Sequence, residues 1–372
     1  MKYTTYGMTG LRVSRLGFGA MRLPLLPGTD GDEEKVDFDK STALIRRAFA
    51  LGVNFIDTHH NYHDSQSEEA IGRATEGLDR SSFFIQTKSS TWKELDPGET
   101  YRGRLEAGLK RAKTGYFDVY FMHSLRWENF EKIGDRFMKE ITEARGEGLV
   151  RHIGFSTHDS HENVVKLIDT GLFEAMLCQY NLLDLSNERA MDYARSKGLG
   201  VSVMGPVGGG RLATPSALTA VLPPEKFSAP EVALRFVLSN PSVDVAVSGM
   251  NAIEQVEENA RTASVDAPLT AREKRRVRQV NEEKHKIADL YCTGCGYCMP
   301  CPNGVRIPRI FEFMNWIRVY GLAEGPAKEH YSWMKRRGAD ASKCVECGQC
   351  QPKCPQKIEI IRQLKECDKA LS

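Results

Sequence analysis

Between residues 10 and 265 the chain alternates short β-branched and aromatic runs with longer segments whose apolar residues recur at spacings of three and four. The runs at 16–19, 53–57, 83–87, 118–123, 152–156, 175–179, 200–204 and 243–247 predict eight strands. Sets such as Leu44, Ala48 and Leu51, or Val232, Phe236 and Val237, give the intervening helices one apolar face to lay on a sheet. That rhythm implies parallel strands joined by crossover helices, and eight units favour a closed (β/α)8 TIM barrel. The alternative is a doubly wound open sheet, but no strand is followed by G-x-G-x-x-G, and Gly17-Phe18-Gly19 is too short a match. Ahead of the barrel, 3–6 and 12–14 flank a Gly/Thr-rich turn and predict a small N-terminal β-hairpin. Gly208-Gly209-Gly210 marks a mobile loop. Past Pro268 the stretch AREKRRVRQVNEEKHK has few apolar positions and predicts a polar linker helix over 268–290. The expected organisation is a barrel over 1–267, that linker, and a second domain over 291–372.

Composition adds exclusions. With 41% hydrophobic and 27% charged residues the chain is neither disordered nor fibrous. Its 51 Lys and Arg against 49 Asp and Glu give no electrostatic case for a nucleic acid or anionic membrane partner. No run approaches the roughly 20 apolar residues of a membrane span. The opening MKYTTYGMTG lacks the apolar core of a secretory signal, so a cytoplasmic protein is expected.

In a barrel of this kind chemistry gathers where strands end at their C-terminal edge. Asp57, Lys88, His123 and Ser156 each end or follow a β run, and Tyr62 follows Asp57 by five residues in FIDTHHNY. A carboxylate, an ammonium, an imidazole and a phenol at one mouth can move a proton to or from a carbonyl oxygen. The Lys88 charge, held by Asp57, is expected to favour the phenolate and lower the Tyr62 pKa. Any one such residue alone is more simply a loop hydrogen bond or a surface charge; the set carries the argument. His59, His60 and His63 invite a metal-site reading, but nothing nearby completes a recognisable ligand signature, and lining of a substrate pocket for polar or anionic substrates is the simpler reading. Arg22 and Arg126 are expected to add to that bias.

The stretches LGFGAM, NFIDTHHNY, FIQTK, DVYFMHS, HIGFS, LCQYNLL and VSGMNAIEQVEENA resemble the aldo-keto reductase family in residue type, order and spacing over residues 1 to 265. The resemblance implies a catalytic tetrad of Asp57, Tyr62, Lys88 and His123, with Tyr62 as proton donor and His123 orienting the carbonyl. It also implies a nicotinamide cofactor extended across the barrel mouth. Cofactor contacts would come from Gly19, Ala20 and Met21 in LGFGAM, from Ser156 and Gln179 at the carboxamide, from Met204 at the nicotinamide face, and from Gly249, Gln255, Glu258 and Asn259 at the adenosine end. Thr157 stands where the family usually has Asn, and Met204 where it commonly has an aromatic residue. Gly249 and Gln255 stand where members preferring NADPH often carry Lys and Arg against the 2′-phosphate. Losing two charge-assisted bonds of about 1.5–3 kcal/mol each leans the cofactor toward NADH rather than NADPH, although Arg261 or Arg211 could supply the charge from elsewhere.

Of ten cysteines, only Cys178 precedes residue 292. Cys292, Cys295, Cys298 and Cys301 form C-x2-C-x2-C-x2-C-P, and Cys344, Cys347, Cys350 and Cys354 form C-x2-C-x2-C-x3-C-P. The second run is the bacterial ferredoxin pattern; the first is one residue short before its last Cys. Two [4Fe-4S] clusters would use all eight thiolates, Cys292, Cys295, Cys298 and Cys354 on one and Cys344, Cys347, Cys350 and Cys301 on the other. Four-thiolate zinc is the competing reading; a third Cys at x2 spacing and a Pro after each run favour iron–sulfur. The helical stretch between the runs resembles the helical two-cluster ferredoxins, so the second domain is expected to be a mainly helical ferredoxin-like one. Its 13 Lys and Arg against 8 Asp and Glu partly offset the charge of thiolate-ligated clusters. Cys178 and Cys367 are read as core and tail residues.

The leading reading is therefore a nicotinamide-dependent oxidoreductase moving hydride between NAD(P)H and a small carbonyl or alcohol, a sugar derivative being one candidate. Its clusters would be structural, redox-sensing or electron-transferring, for hydride chemistry does not itself require them. The second hypothesis is an electron-transfer protein serving a ferredoxin-like partner, with the barrel as scaffold. A barrel that only senses cofactor is the third.

Overall fold

The computed structural model describes residues 1–27, 35–91, 95–289, 292, 294, 296–354 and 357–372, without side chains over 285–289. The described residues divide into two compact units, Met1–Pro206 with Leu234–Pro268, and Val207–Ala233 with Leu269–Ser372.

The first unit begins with an antiparallel hairpin, β1 (Tyr3–Thr5) and β2 (Arg12–Ser14). Eight strands follow: β3 (Leu16–Gly19), β4 (Phe55–Asp57), β5 (Phe84–Ser90), β6 (Phe117–His123), β7 (Val150–Thr157), β8 (Ala175–Gln179), β9 (Gly200–Met204) and β10 (Val245–Gly249). They pair in parallel, each with its successor, and β10 closes on β3. The barrel expected from the pattern is present, with β5 running two residues past Lys88 and β10 shifted two residues onward from 243–247. Helices α1 (Phe38–Ala50), α2 (Gln66–Thr75), α3 (Tyr101–Arg111), α4 (Trp127–Gly146), α5 (His161–Asp169), α6 (Glu188–Ser196), α7 (Ala229–Leu238) and α8 (Ile253–Ser264) alternate with the strands. Several start on side-chain caps that satisfy otherwise orphaned N–H groups: Asp37 accepts from Lys40 N, Thr100 from Gly103 N and Ser160 from Asn163 N.

Inside the barrel, Phe55, Val119, Phe121, Ala175, Leu177, Val245 and Val247 form one buried cluster with Tyr6, Leu11 and Val13 of the hairpin segment. The hairpin segment thus stoppers the N-terminal end of the barrel. A Cβ at Gly154 would collide with the Phe121 ring, and one at Gly200 with the Tyr6 ring, so these glycines make room for aromatic filling.

In the second unit, α9 (Ala271–Asp289), α10 (Ile307–Arg318), α11 (Glu324–Arg336) and α12 (Ile360–Leu371) are the principal helices. The last three pack on one another through Ile310, Phe311, Tyr331, Met334, Leu364 and Cys367, all buried. Tyr331 donates to Asp368 at 2.6 Å. Helix α9 buries Val277 and Val280 and belongs to this unit, as does 207–233. Gly208–Gly210 forms a 3-10 turn. No helix among the described residues is long and apolar enough to cross a membrane.

Candidate functional site

Alternation along a strand sends every second residue to one face. With Phe55, Val119, Phe121, Leu177 and Val247 facing inward, the next positions toward the C-terminal edge are Asp57, His123, Gln179 and Gly249, and pairing registers add Gly19 beside both Asp57 and Gly249, and Met204 beside Gln179. Of the residues singled out from the sequence, Gly19, Asp57, His123, Gln179, Met204 and Gly249 end inward strand faces, while Lys88 lies on the same face of β5 opposite Phe121, two residues before the level of His123.

Lys88, 1% exposed, donates to the Asp57 carboxylate at 2.7 Å and to Thr58 O at 2.6 Å. The other Asp57 oxygen accepts from Gln86 Nε2 at 2.7 Å, and Gln86 Oε1 accepts from Tyr6 OH at 3.2 Å. The Lys88 ammonium lies 5.4 Å from the centre of the Tyr62 ring. Tyr62 is partly exposed at its edge, and its ring sits 5.0 Å from that of His59 and 6.2 Å from that of His123. His63, Asp64 and Ser65 follow in left-handed backbone conformations, which for non-glycine residues cost about 1–3 kcal/mol each. Ser65 Oγ donating to His60 O at 2.8 Å helps hold that turn. Gln86 was not anticipated from sequence, yet it stands two residues before Lys88 on the same strand face.

Burial pushes the Tyr62 phenol well up, and the Asp57 carboxylate adds to the rise. The net direction is opposite to that expected from Lys88 alone: burial outweighs its charge, which is paired with Asp57. His123 and His59 are both held well below the ordinary imidazole range, chiefly by burial and then by neighbouring cations and imidazoles. Both rings are neutral at physiological pH.

These histidines make stability fall with acid. The unfolded chain takes up their protons as pH drops through about 6.5 while the folded barrel does not. Their contribution is complete above that value and shrinks below it, by up to about 1.4 kcal/mol per pH unit for each ring. Urea midpoints at pH 7.5 and 5.5 should show this loss, and His59→Gln should flatten it; equal pH dependence in both proteins contradicts the assignment.

Among the other candidates, Ser156 Oγ accepts from Ser124 N at 2.8 Å, and Thr157 Oγ1 donates to Leu125 O at 2.8 Å. The Gln179 amide lies beside Gly205, and Met204 is half-buried. Ala20 N donates to Asp57 O at 2.8 Å, and Met21 is exposed. The aliphatic stem of Arg22 crosses Gly249, so a Cβ there would press on it at 3.3 Å. Gln255 Oε1 accepts from Asn251 N at 2.9 Å, Asn259 Nδ2 donates to Ser248 Oγ at 3.2 Å, and Glu258 is half-buried one position before it.

In the second unit, Cys298, Cys301, Cys344, Cys347 and Cys350 line one hollow. The Cys350 thiol is pushed up by burial and further by Cys344, Cys347 and Cys301. Among the described residues no three His, Cys, Asp or Glu side chains form a group placed to hold a single metal ion. That donor set and spacing fit a cluster bridged by inorganic sulfide. Cys292 is close enough to raise the buried Cys367, which burial pushes up to about 12. Cys354 does not line the hollow, and Cys295 lies outside the described residues.

The aldo/keto reductase family model matches residues 15–282, and a 4Fe-4S dicluster domain model matches residues 291–359. L-galactose dehydrogenase of Arabidopsis thaliana is 29% identical over 277 residues, spanning 68% of this chain and 85% of the relative. The NADH-specific methylglyoxal reductase of Escherichia coli is 26% identical over 57% of this chain and 69% of its own. An aldo-keto reductase from Bacillus halodurans in its holo form superposes with a TM-score of 0.64 at 25% identity, covering 75% of this chain and 96% of that one. One from Klebsiella pneumoniae, solved with NADPH, gives 0.62 at 20% identity over 76% of this chain and 95% of that one, a likeness of fold. The chain belongs to the aldo/keto reductase family and carries a 4Fe-4S dicluster domain after its barrel.

Proposed function

We propose that the protein transfers hydride reversibly between a nicotinamide cofactor and a small carbonyl or alcohol, with all of the chemistry in the barrel. The observation that supports this most is the Lys88–Asp57 pair with the Tyr62 ring beside Lys88 and near His123. The cofactor, when bound, supplies hydride to the carbonyl carbon or takes it from the alcohol. Tyr62 gives its phenol proton to the carbonyl oxygen in reduction and recovers it in oxidation. Neutral His123 directs a hydrogen bond at the same oxygen and fixes its orientation. Asp57, Gln86 and Thr58 O hold Lys88 as a fixed positive charge near the phenol, where it stabilises phenolate as it forms.

Ser156 has its hydroxyl hydrogen to give to a carboxamide oxygen while its oxygen accepts from Ser124, and Gln179 and Met204 adjoin it along the rim. Thr157, bonded to Leu125, does not take the part of the missing Asn. At the adenosine end Gly249 brings no side chain and Gln255 caps a loop, which supports NADH. Cys292, Cys295, Cys298 and Cys354 would hold one [4Fe-4S] cluster and Cys301, Cys344, Cys347 and Cys350 the other, in a structural or redox-sensing role.

The test is an anaerobic titration of the cluster-loaded protein with NADH and NADPH, following cluster and nicotinamide absorbance together, with and without small carbonyl compounds. Nicotinamide should be consumed only when carbonyl is present, with unchanged cluster bands and kcat/KM for NADH about tenfold or more above NADPH. Bleaching of the clusters by nicotinamide alone would instead favour electron exchange with a ferredoxin-like partner. Preference for NADPH would make Arg22 or Arg261 the phosphate-binding cation.

A further inference from the structure

The mechanism above makes no use of Tyr6, although this phenol is among the most deeply buried titratable groups of the barrel. It belongs to the hairpin segment that stoppers the N-terminal end, with its ring edge-on to Phe55 at 5.5 Å and close against Gly200. Burial pushes the Tyr6 phenol well above its ordinary range, so the hydroxyl keeps its hydrogen at every working pH. That hydroxyl lies 3.2 Å from Gln86 Oε1 and 3.0 Å from Ser202 Oγ.

The chemistry of the groups fixes the direction of each bond. The Asp57 carboxylate, paired with Lys88, only accepts, so the Gln86 amide turns Nε2 toward it at 2.7 Å. The amide oxygen then faces Tyr6 and needs a hydrogen, and Tyr6 has a single one to give. In its bond with Ser202, Tyr6 is therefore the acceptor, and Ser202 shares its own hydrogen with Met176 O at 3.2 Å. The line runs from Tyr6 through Gln86 to Asp57, which Gln86 shares with the Lys88 ammonium. All four side chains are buried, so bulk water does not replace a bond lost from the line. An amide held in place occupies part of the Asp57 carboxylate. Once loosened, it leaves that capacity to Lys88, whose charge is drawn further onto Asp57 and away from the Tyr62 ring centred 5.4 Å from it.

We propose that Tyr6 is a positioning residue for the hydride-transfer site: by fixing Gln86 it sets how far Asp57 holds the Lys88 charge and how much of that charge serves the Tyr62 phenolate as it forms. The base of the barrel thus takes part in the chemistry at its mouth. This rests on the hydride-transfer reading above.

Tyr6→Phe keeps the ring between Phe55 and Gly200 and removes only the donor. In the full-length, cluster-loaded protein, kcat for reduction of methylglyoxal by NADH should fall about three- to tenfold, the worth of one neutral hydrogen bond, with KM and nicotinamide affinity unchanged. Gln86→Met should cost more, because the bond it removes goes to a charged group. Adding Tyr6→Phe to Gln86→Met should then cost nothing further, whereas a stopper that merely loosened the barrel would add its own loss. The nitrogen-15 resonance of the Lys88 ammonium, assigned by its disappearance in Lys88→Met, reads the same line without any substrate and should move in Tyr6→Phe. A native kcat in Tyr6→Phe, additive losses in the double variant, or an unmoved Lys88 resonance overturns the proposal. If the native protein binds nicotinamide yet reduces neither methylglyoxal nor the other small carbonyls, the hydride-transfer reading is what fails, and the Lys88 resonance still decides whether Tyr6 governs the pair.

Discussion

Tyr62→Phe should lower carbonyl reduction by about 10²–10⁴-fold, the usual worth of a positioned general acid. The ring's packing against His59 and beneath Lys88 is kept, so nicotinamide affinity, cluster absorbance and thermal stability should stay within error of the native protein. Because burial holds the phenol protonated, reduction should be nearly independent of pH from 6 to 9, while alcohol oxidation, which needs the proton removed, should rise with pH. Steady-state rates in both directions across that range, with single-turnover hydride transfer, read the effect. A variant within tenfold of native would move the proton donor elsewhere, and dye reduction through the clusters should be untouched in either case.

The second large effect is on folding. Asp57→Ala leaves the Lys88 ammonium almost wholly buried with only Thr58 O for company, and breaking a buried pair from one side costs about 3–5 kcal/mol. Gln86 loses a partner as well, adding to the loss. Replacing Lys88 with Met in the same protein should restore most of the stability, since nothing charged is then left without a counter-charge, while activity stays lost. Chemical unfolding of the barrel followed for both single variants and the double variant gives the coupling. Additive losses would mean that water reaches Lys88 and that the pair is a surface feature.

The barrel was legible because its strands are short, apolar and regularly spaced, and because alternation turns strand-end residues into one inward layer. Asp57 and His123, which end β4 and β6, were readable on that ground, whereas β5 runs two residues past Lys88. Gln86 and Ser90 were not singled out although they share a face with Lys88, since a polar side chain inside a strand declares a partner only once the facing segment is known. The Tyr6 hydroxyl bonds to Gln86 and Ser202, both far from it in the sequence. The sign of the Tyr62 shift depends on how densely the phenol is enclosed and on where the Lys88 charge is spent, which spacing does not encode. The polarity of 268–290 suggested a linker; Val277 and Val280 of α9 are buried, and α9 groups with the second unit.

The stopper at the barrel's base also sets an order of assembly. Tyr6 bonds to Ser202 at 3.0 Å and Gly7 N to Asp244 at 3.2 Å, so these hairpin residues, made before every barrel strand, wait for nearly the last strand before they are satisfied. Contacts that distant in sequence slow closure. During synthesis the nascent barrel must therefore keep its N-terminal end open while most of its strands accumulate, and the cysteine-rich segment emerges only after closure has become possible. Maturation of the two parts is thus separated in time by the order of the chain alone.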